Sequence, residues 1–306
     1  MNQAQLQQVL EGLVAEHRSA HHLGQVADYI PELGKGDPSL AGIAVWSPEG
    51  LVSAGDCRIP FTLQSISKIF TLMVVLRDRG EEEVFSRVGS EPTGDPFNSI
   101  VKLETAERRP LNPMINAGAI AVCGMLEGKT LEERFARVTD LLEEVLGRPV
   151  SIDENVYRSE KETGHRNRAL AYFLKDTGVL DGDVEEVVDI YFRQCSILVT
   201  CEELARLGLF VANKGVTLDG RRLLPRRIVR LVSTFMVTCG MYNASGEFAI
   251  NVGIPAKSGV AGGILAVVPE RFGIGTFGPA LDRKGNSIVG VRMLRDLSRQ
   301  FELSIF

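Results

Sequence analysis

The sequence predicts an α+β fold: an antiparallel sheet built from both ends of the chain and flanked by helices, with an all-helical region inserted between its halves. Three observations predict it. Short strand-like segments lie near the start and after Gly240, helical periodicity dominates from about residue 65 to 240, and turns rather than helical crossovers join neighbouring strands. The expected division is a discontinuous sheet region, 1–63 and 241–306, around a helical region, 64–240. With 306 residues, 44% of them apolar, the chain can bury a large core.

Taken in order, residues 4–16 place Leu6, Val9, Leu10 and Leu13 on one helical face. Ala41 to Ser47 and Leu51 to Ala54 then form a hairpin around Pro48-Glu49-Gly50. Ser65 to Lys68 open the most apolar helical run, which continues Ile69, Phe70, Leu72, Met73, Val74, Val75, Leu76. Thr130 and Glu133 make a capping box before the Leu131, Phe135, Val138, Leu142, Val145 stripe, which ends at Gly147. Thr200 and Glu203 repeat the device before Leu204, Leu207 and Val211. Phe248 to Val252, Ile264 to Val268 and Phe272 to Thr276 are expected strands, and Ile288, Val291, Leu294 and Phe301 mark a closing helix.

Composition excludes several function classes. A net charge of -5 leaves no basic excess to displace counterions from nucleic acid. No apolar run approaches a membrane span and the N-terminus lacks the pattern of a secretory signal, so the expectation is a cytoplasmic protein without membrane contact. The five cysteines, Cys57, Cys123, Cys195, Cys201 and Cys239, are scattered and are expected to be reduced, mostly buried thiols.

Three patterns are set aside as chemistry. Gly273-Ile274-Gly275-Thr276-Phe277-Gly278 matches GxGxxG, but Pro279 and the turn Asp282-Arg283-Lys284-Gly285 follow where a nucleotide site needs a helix; packed strand glycines are expected. His17 and His21 share a helical spacing without a further ligand beside them, which suggests a solvated helix end and no metal. Arg221, Arg222, Arg226, Arg227 and Arg230 flank Pro225 and are expected on an exposed or interface face.

Ser65 and Lys68 carry the chemical signal. At i and i+3 they lie one turn apart on the same helical face. Burial near Phe61, Ile69 and Phe70 would lower the lysine pKa, and a neutral amine can take the serine proton. Unpaired N–H groups at the helix start favour an oxyanion beside Ser65. A second SxxK match, Ser99 to Lys102, follows the turn Gly94-Asp95-Pro96 and lacks a buried helix behind it. Late in the chain Lys257-Ser258-Gly259 supplies a candidate polar strand opposite the nucleophile, although Lys257 alone fits a surface strand position equally.

Tyr29-Ile30-Pro31, Phe61 to Lys68, Asn112 to Ile120, Ser159 to Ala171, Tyr191 to Ser196, Cys239-Gly240-Met241-Tyr242 and Lys257 to Val260 together resemble the serine-dependent glutaminase family, whose fold is similar to that of serine β-lactamases and penicillin-binding transpeptidases. The resemblance runs from about Tyr29 to the C-terminal helix. It implies hydrolysis of L-glutamine to L-glutamate and ammonia through a glutamyl ester, with no metal or organic cofactor, and a homo-oligomer, either dimer or tetramer.

By the same resemblance Ser65 is the nucleophile, Lys68 its base, and the backbone N–H groups of Ser65 and Val260 the oxyanion donors. Tyr242 is the candidate general acid, with Tyr191 an orienting or alternative donor. Glu160 suits the substrate ammonium; Asn116, Asn167 and Tyr29 suit its carboxylate, and Gln64 is a further contact. Glu160 and Asn167 lie two helical turns apart and could share a face. Two other readings compete: a β-lactamase, transpeptidase or esterase of the same fold, and a non-catalytic binding module.

Overall fold

The computed structural model describes residues 2–94, 99 and 109–306. Of the second SxxK match, Ile100, Val101 and Lys102 lie outside the described residues. The strands are β1 Gly42–Ser47, β2 Gly50–Gly55, β3 Phe61–Thr62, β4 Leu198–Val199, β5 Ala256–Ser258, β6 Gly263–Val268 and β7 Phe272–Phe277. Five of them form one antiparallel sheet in the order β2-β1-β7-β6-β5, so that β1, from the start of the chain, pairs with β7 near its end. Ser47 faces Gly50 across the predicted hairpin turn.

The period-two alternation of the strands creates two buried faces. Ile43, Val45, Ile264, Ala266 and Ile274 meet the first helix, Gln3–His17, and the last, Ile288–Phe301. Ala44, Leu265 and Val267 face the inserted helical region. There the helix Cys201–Ala212 lies directly on the sheet, and glycines let it approach. A Cβ on Gly273 would stand 2.0 Å from the Leu209 nitrogen, and one on Gly275 2.4 Å from the Cys201 carbonyl. The GxGxxG pattern is therefore a helix-packing strand, as its Pro279 terminus suggested.

Local sequence signals act at the helix ends that the sequence marks. Thr200 and Glu203 form a complete reciprocal capping box. At Thr130 the hydroxyl accepts from the Glu133 N–H, while the Glu133 carboxylate turns to the Lys129 N–H instead, so the box is half made. Gly147 ends that helix with φ 69°, a left-handed conformation that costs glycine little.

Three expectations are corrected. Phe248 to Val252 is not a strand: Ser245–Asn251 is helical, and Phe248 and Val252, four apart, are buried while Ile250 between them is 87% exposed. The apolar run was short enough to fit either period. His17 does not sit at a solvated end; it is buried and shares a 2.7 Å hydrogen bond with Asp296, tying the first helix to the last. The short β3–β4 ladder was not anticipated, because it joins segments far apart in sequence. It matters to the site: the Leu63 N–H donates to the Ile197 carbonyl beside it, fixing the chain just before Ser65.

All five cysteines are free and buried. Among the described residues, no helix is long and apolar enough to cross a membrane. Two members of the arginine cluster are paired with carboxylates: Arg221 with Glu144 and Asp219, and Arg227 with Glu81.

Candidate active site

The segment that leaves β3 makes a single 3-10 turn, Gln64–Ile66, before the helix Ser67–Arg87 begins. Ser65 thus stands two residues ahead of the helix rather than in its first turn. Gln64 holds φ 50°, uncommon for a residue with a side chain and a source of local strain. Gly259 permits the strand β5 exit to cross closely here, since a Cβ on it would lie 2.5 Å from the Leu63 carbonyl.

Lys68 is 1% exposed. Its Nζ donates to the Asn116 Oδ1 at 2.7 Å and to the Met114 carbonyl at 3.1 Å, with no carboxylate bonded to it among the described residues. Burial brings its pKa down to about 8, opposed by the more distant Cys195, Cys123 and Glu160. The hydrophobic helix predicted around Lys68 does this, while the amide and carbonyl orient the amine.

Asn116 opens the helix Asn116–Gly124 and passes the network on, its Nδ2 donating to the Asn167 Oδ1 at 3.0 Å. Gly118, in the first turn, lets this helix start press against the Asn112 carbonyl, where a Cβ would come within 1.9 Å. Glu160 is buried near the end of the helix Glu154–Thr163 and accepts from the Gln64 Nε2 at 2.7 Å. Desolvation raises its pKa to about 7, partly offset by Gln64 and Lys68. Glu160 and Asn167 do not share a helical face, because the chain breaks at Gly164 and a new helix, His165–Asp176, carries Asn167.

Tyr191, on the helix Val184–Cys195, is buried, and its hydroxyl meets the Cys195 thiol; burial pushes its pKa up. Tyr242 adopts φ 55°, donates to the Ser258 carbonyl at 3.1 Å and is hydrogen-bonded to Ser65, and burial raises its pKa as well. Tyr29, more than half exposed, stands at the mouth.

Ser65, Gln64, Asn116, Glu160, Asn167, Tyr191, Val260 and Tyr29 line one cavity of about 110 Å³. Tyr242 reaches Ser65 from outside that lining. Sequence reasoning missed Ile30, Thr163, Gly164, Arg166, Phe192 and Cys195, which complete the wall. Cys195 could have been found, since it lies one helical turn after Tyr191. Gly164 has a packing reason: a Cβ there would strike the Phe192 ring at 2.3 Å. Lys257 is no surface residue, being wholly buried. Among the described residues, the one cluster with metal-ligand character is Glu16, His17 and Asp296, and none of the three lines the cavity.

Chemically, the cavity offers a serine hydroxyl three residues before a desolvated lysine, tyrosine hydroxyls, and a carboxylate and amides suited to an amino acid's charged ends. The Glutaminase family model matches residues 24–306. A glutaminase of Clostridium botulinum (strain Hall) is 54% identical over 98% of this chain and 100% of its own length. One from Alkaliphilus metalliredigens is 51% identical over 99% of each. The crystal structure of a probable glutaminase of Bacillus subtilis superposes with TM-score 0.94 at 41% identity, over 99% of this chain and 98% of that one. Another, of the probable Bacillus subtilis glutaminase complexed with 6-diazo-5-oxo-L-norleucine, superposes with TM-score 0.89 at 40% identity, covering 97% and 95%. Matched across nearly its whole length in sequence and in fold, the chain belongs to the glutaminase family.

Proposed function

We propose that the chain hydrolyses L-glutamine to L-glutamate and ammonia through an ester on Ser65. The observation that carries this reading is one cavity uniting Ser65 with Glu160, Asn116 and Asn167, groups that match the ammonium and carboxylate of a free amino acid. Lys68, uncharged above about pH 8, takes the Ser65 proton as the oxygen attacks the side-chain amide. The Ser65 and Val260 N–H groups receive the oxyanion; a single such donor is worth roughly 10²–10³ in rate. Tyr242, hydrogen-bonded to Ser65, protonates the departing nitrogen, and Tyr191 orients the substrate. Water then attacks the ester, and the protons return to Tyr242 and Ser65.

Glu160 pairs with the substrate ammonium, held in place by Gln64, while Asn116, Asn167 and Tyr29 address the carboxylate. The chemistry needs no metal or cofactor. We also keep the two-part division of the chain, 1–63 with 241–306 around 64–240, a cytoplasmic location, and a homo-oligomer, dimer or tetramer. Light scattering tests the last of these.

The decisive experiment is ammonia release from L-glutamine by the purified protein beside Ser65→Ala, with L-asparagine and a chromogenic β-lactam as controls. The expected result is turnover of glutamine that the substitution abolishes. Turnover of the β-lactam without turnover of glutamine would refute the reading.

A further inference from the structure

Cys57 and Cys201 are buried thiols to which the mechanism above gives no task, and they meet where the fold fixes the nucleophile segment. β3 and β4 pair antiparallel, Phe61 with Val199 and Thr62 with Leu198, so the chain entering β3 and the chain leaving β4 emerge at the same end of the ladder. Cys57 lies four residues before Phe61, and Cys201, two residues after Val199, opens the helix Cys201–Ala212. Their backbones touch there, the Glu202 N–H donating to the Cys57 carbonyl at 3.4 Å.

The side chains meet as well. The Cys57 Sγ lies 2.9 Å from the Ala54 carbonyl and 3.2 Å from that of Ile43, and the Cys201 Sγ lies 3.1 Å from the carbonyl of Gly275. Ile43 precedes Ala44, which faces Gly275 across β1 and β7, so both sulfurs sit against one stretch of β1. The two thiols hydrogen-bond each other. Donation from Cys201 draws the Cys57 pKa below the ordinary thiol value, whereas burial pushes that of Cys201 well up, so Cys57 is the sulfur that ionises first. Gly55 and Arg58 to Pro60, on either side of Cys57, are exposed, which places this thiol just under the surface. Elsewhere Cys195 meets the Tyr191 hydroxyl and Cys239 that of Thr238, partners with which no disulfide can form.

We propose that Cys57 and Cys201 are a modification site: a hydroperoxide converts the pair to a disulfide, which staples the open end of the β3–β4 ladder and with it the chain that carries Ser65. The inference holds whichever substrate the cavity takes. The Cys57 thiolate attacks one peroxide oxygen; the O–O bond breaks, its electron pair leaves with the other oxygen, which takes a proton to become water or an alcohol, and Cys57 becomes a sulfenic acid. The Cys201 sulfur then attacks the Cys57 sulfur, the S–O bond breaks, and hydroxide departs as water with the Cys201 proton. Two thiols thereby give two electrons and two protons to one peroxide. Touching thiols reach the roughly 2 Å sulfur–sulfur bond by side-chain adjustment. The link encloses everything from β3 to β4, a long loop whose closure removes much freedom from the unfolded chain. It also diverts Cys57 from irreversible oxidation to a buried sulfinate.

The test uses the reduced, folded protein and hydrogen peroxide. After exposure the remaining thiols are capped with N-ethylmaleimide, and the protein is digested without reductant and mapped by mass spectrometry. The expected result is two fewer capped cysteines, a linked peptide pair joining Cys57 to Cys201, reversal by dithiothreitol, and a melting temperature several degrees above that of the reduced form. Cys57→Ser and Cys201→Ser should each abolish both the link and the rise.

Peroxide that leaves all five thiols free to be capped, that adds oxygen to Cys57 in place of a link, or that joins another pair overturns the proposal, and these readings come from the wild-type protein alone. A Cys57–Cys201 link that lowers the melting temperature overturns the staple.

Discussion

Replacing Glu160 by glutamine separates the stability of this enzyme from its function. The carboxylate is buried and its pKa stands at about 7 against an ordinary 4.5, chiefly through desolvation. Between these values the unfolded chain ionises while the folded chain keeps its proton, so stability falls as pH rises through the interval and stays lowered above it. At 1.36 kcal/mol per pH unit the difference is about 3 kcal/mol. A glutamine side chain at this position would be nearly the same shape, would keep an oxygen for the Gln64 Nε2 now bonded at 2.7 Å, and would never ionise. At pH 8.5 Glu160→Gln should therefore melt higher, by several degrees for that energy in a chain of this size. The gain should vanish near pH 4.5. Catalysis should move the other way: an ammonium loses a charged partner worth about 1.5–3 kcal/mol, roughly 10- to 150-fold in kcat/KM for glutamine. Paired melts and ammonia-release kinetics at both pH values are the assay. A variant that melts below wild type at pH 8.5, or that keeps wild-type kcat/KM, refutes the reasoning.

Lys68, with a pKa of about 8, makes the base available only as protons leave it, so kcat/KM for glutamine should climb with pH up to about 8 and then level; a flat profile from pH 6 to 9 would remove it from that role. Gly118→Ala forces a methyl to within 1.9 Å of the Asn112 carbonyl at the start of the helix that presents Asn116, and a loss of about 1–3 kcal/mol with a raised KM should appear in melts and kinetics. Thr200→Ala removes one half of the complete capping box and should cost about 1 kcal/mol by denaturant unfolding, with kcat unchanged, since Thr200 does not line the cavity.

What the sequence makes legible follows the range of the physics involved. Capping at Thr200, the hairpin at Pro48-Glu49, and the buried run from Ile69 to Leu76 are decided by residues within a turn or two of each other, and the structure has them where the local pattern places them. The spacing of Ser65 and Lys68 is equally local. Phe248 and Val252 fit two periods, and tertiary packing chose the helix. His17 depends on Asp296, which no local pattern connects to it. The walls of the cavity belong to the same class: Glu160 reaches Gln64, and Asn116 reaches both Lys68 and Asn167, through contacts between separate elements. Those residues were nameable from the family resemblance, whereas which of them bond to one another was not.

Backbone strain shows how the fold holds such a network still. Of the residues other than glycine with positive φ among those described, Gln64 at 50° and Tyr242 at 55° both border Ser65, while Lys214, Glu270 and Glu302 are in turns or at a helix end. A conformation of this kind costs of order 1–3 kcal/mol and persists only where the surroundings over-determine it. Each of the two has such surroundings. Gln64 is fixed by the β3–β4 ladder before it, by its bond to Glu160, and by the Ser67 hydroxyl that donates to its carbonyl at 2.7 Å. Tyr242 is fixed by Ser245, whose hydroxyl donates to its carbonyl at 2.8 Å, and by the Ser258 carbonyl beyond its own hydroxyl. Both sets of restraints come largely from outside the nucleophile turn, so the serine stands between two side chains set by the rest of the fold before substrate arrives. Such preorganisation is what charge stabilisation and proton transfer require, because little of the site need rearrange when charge develops.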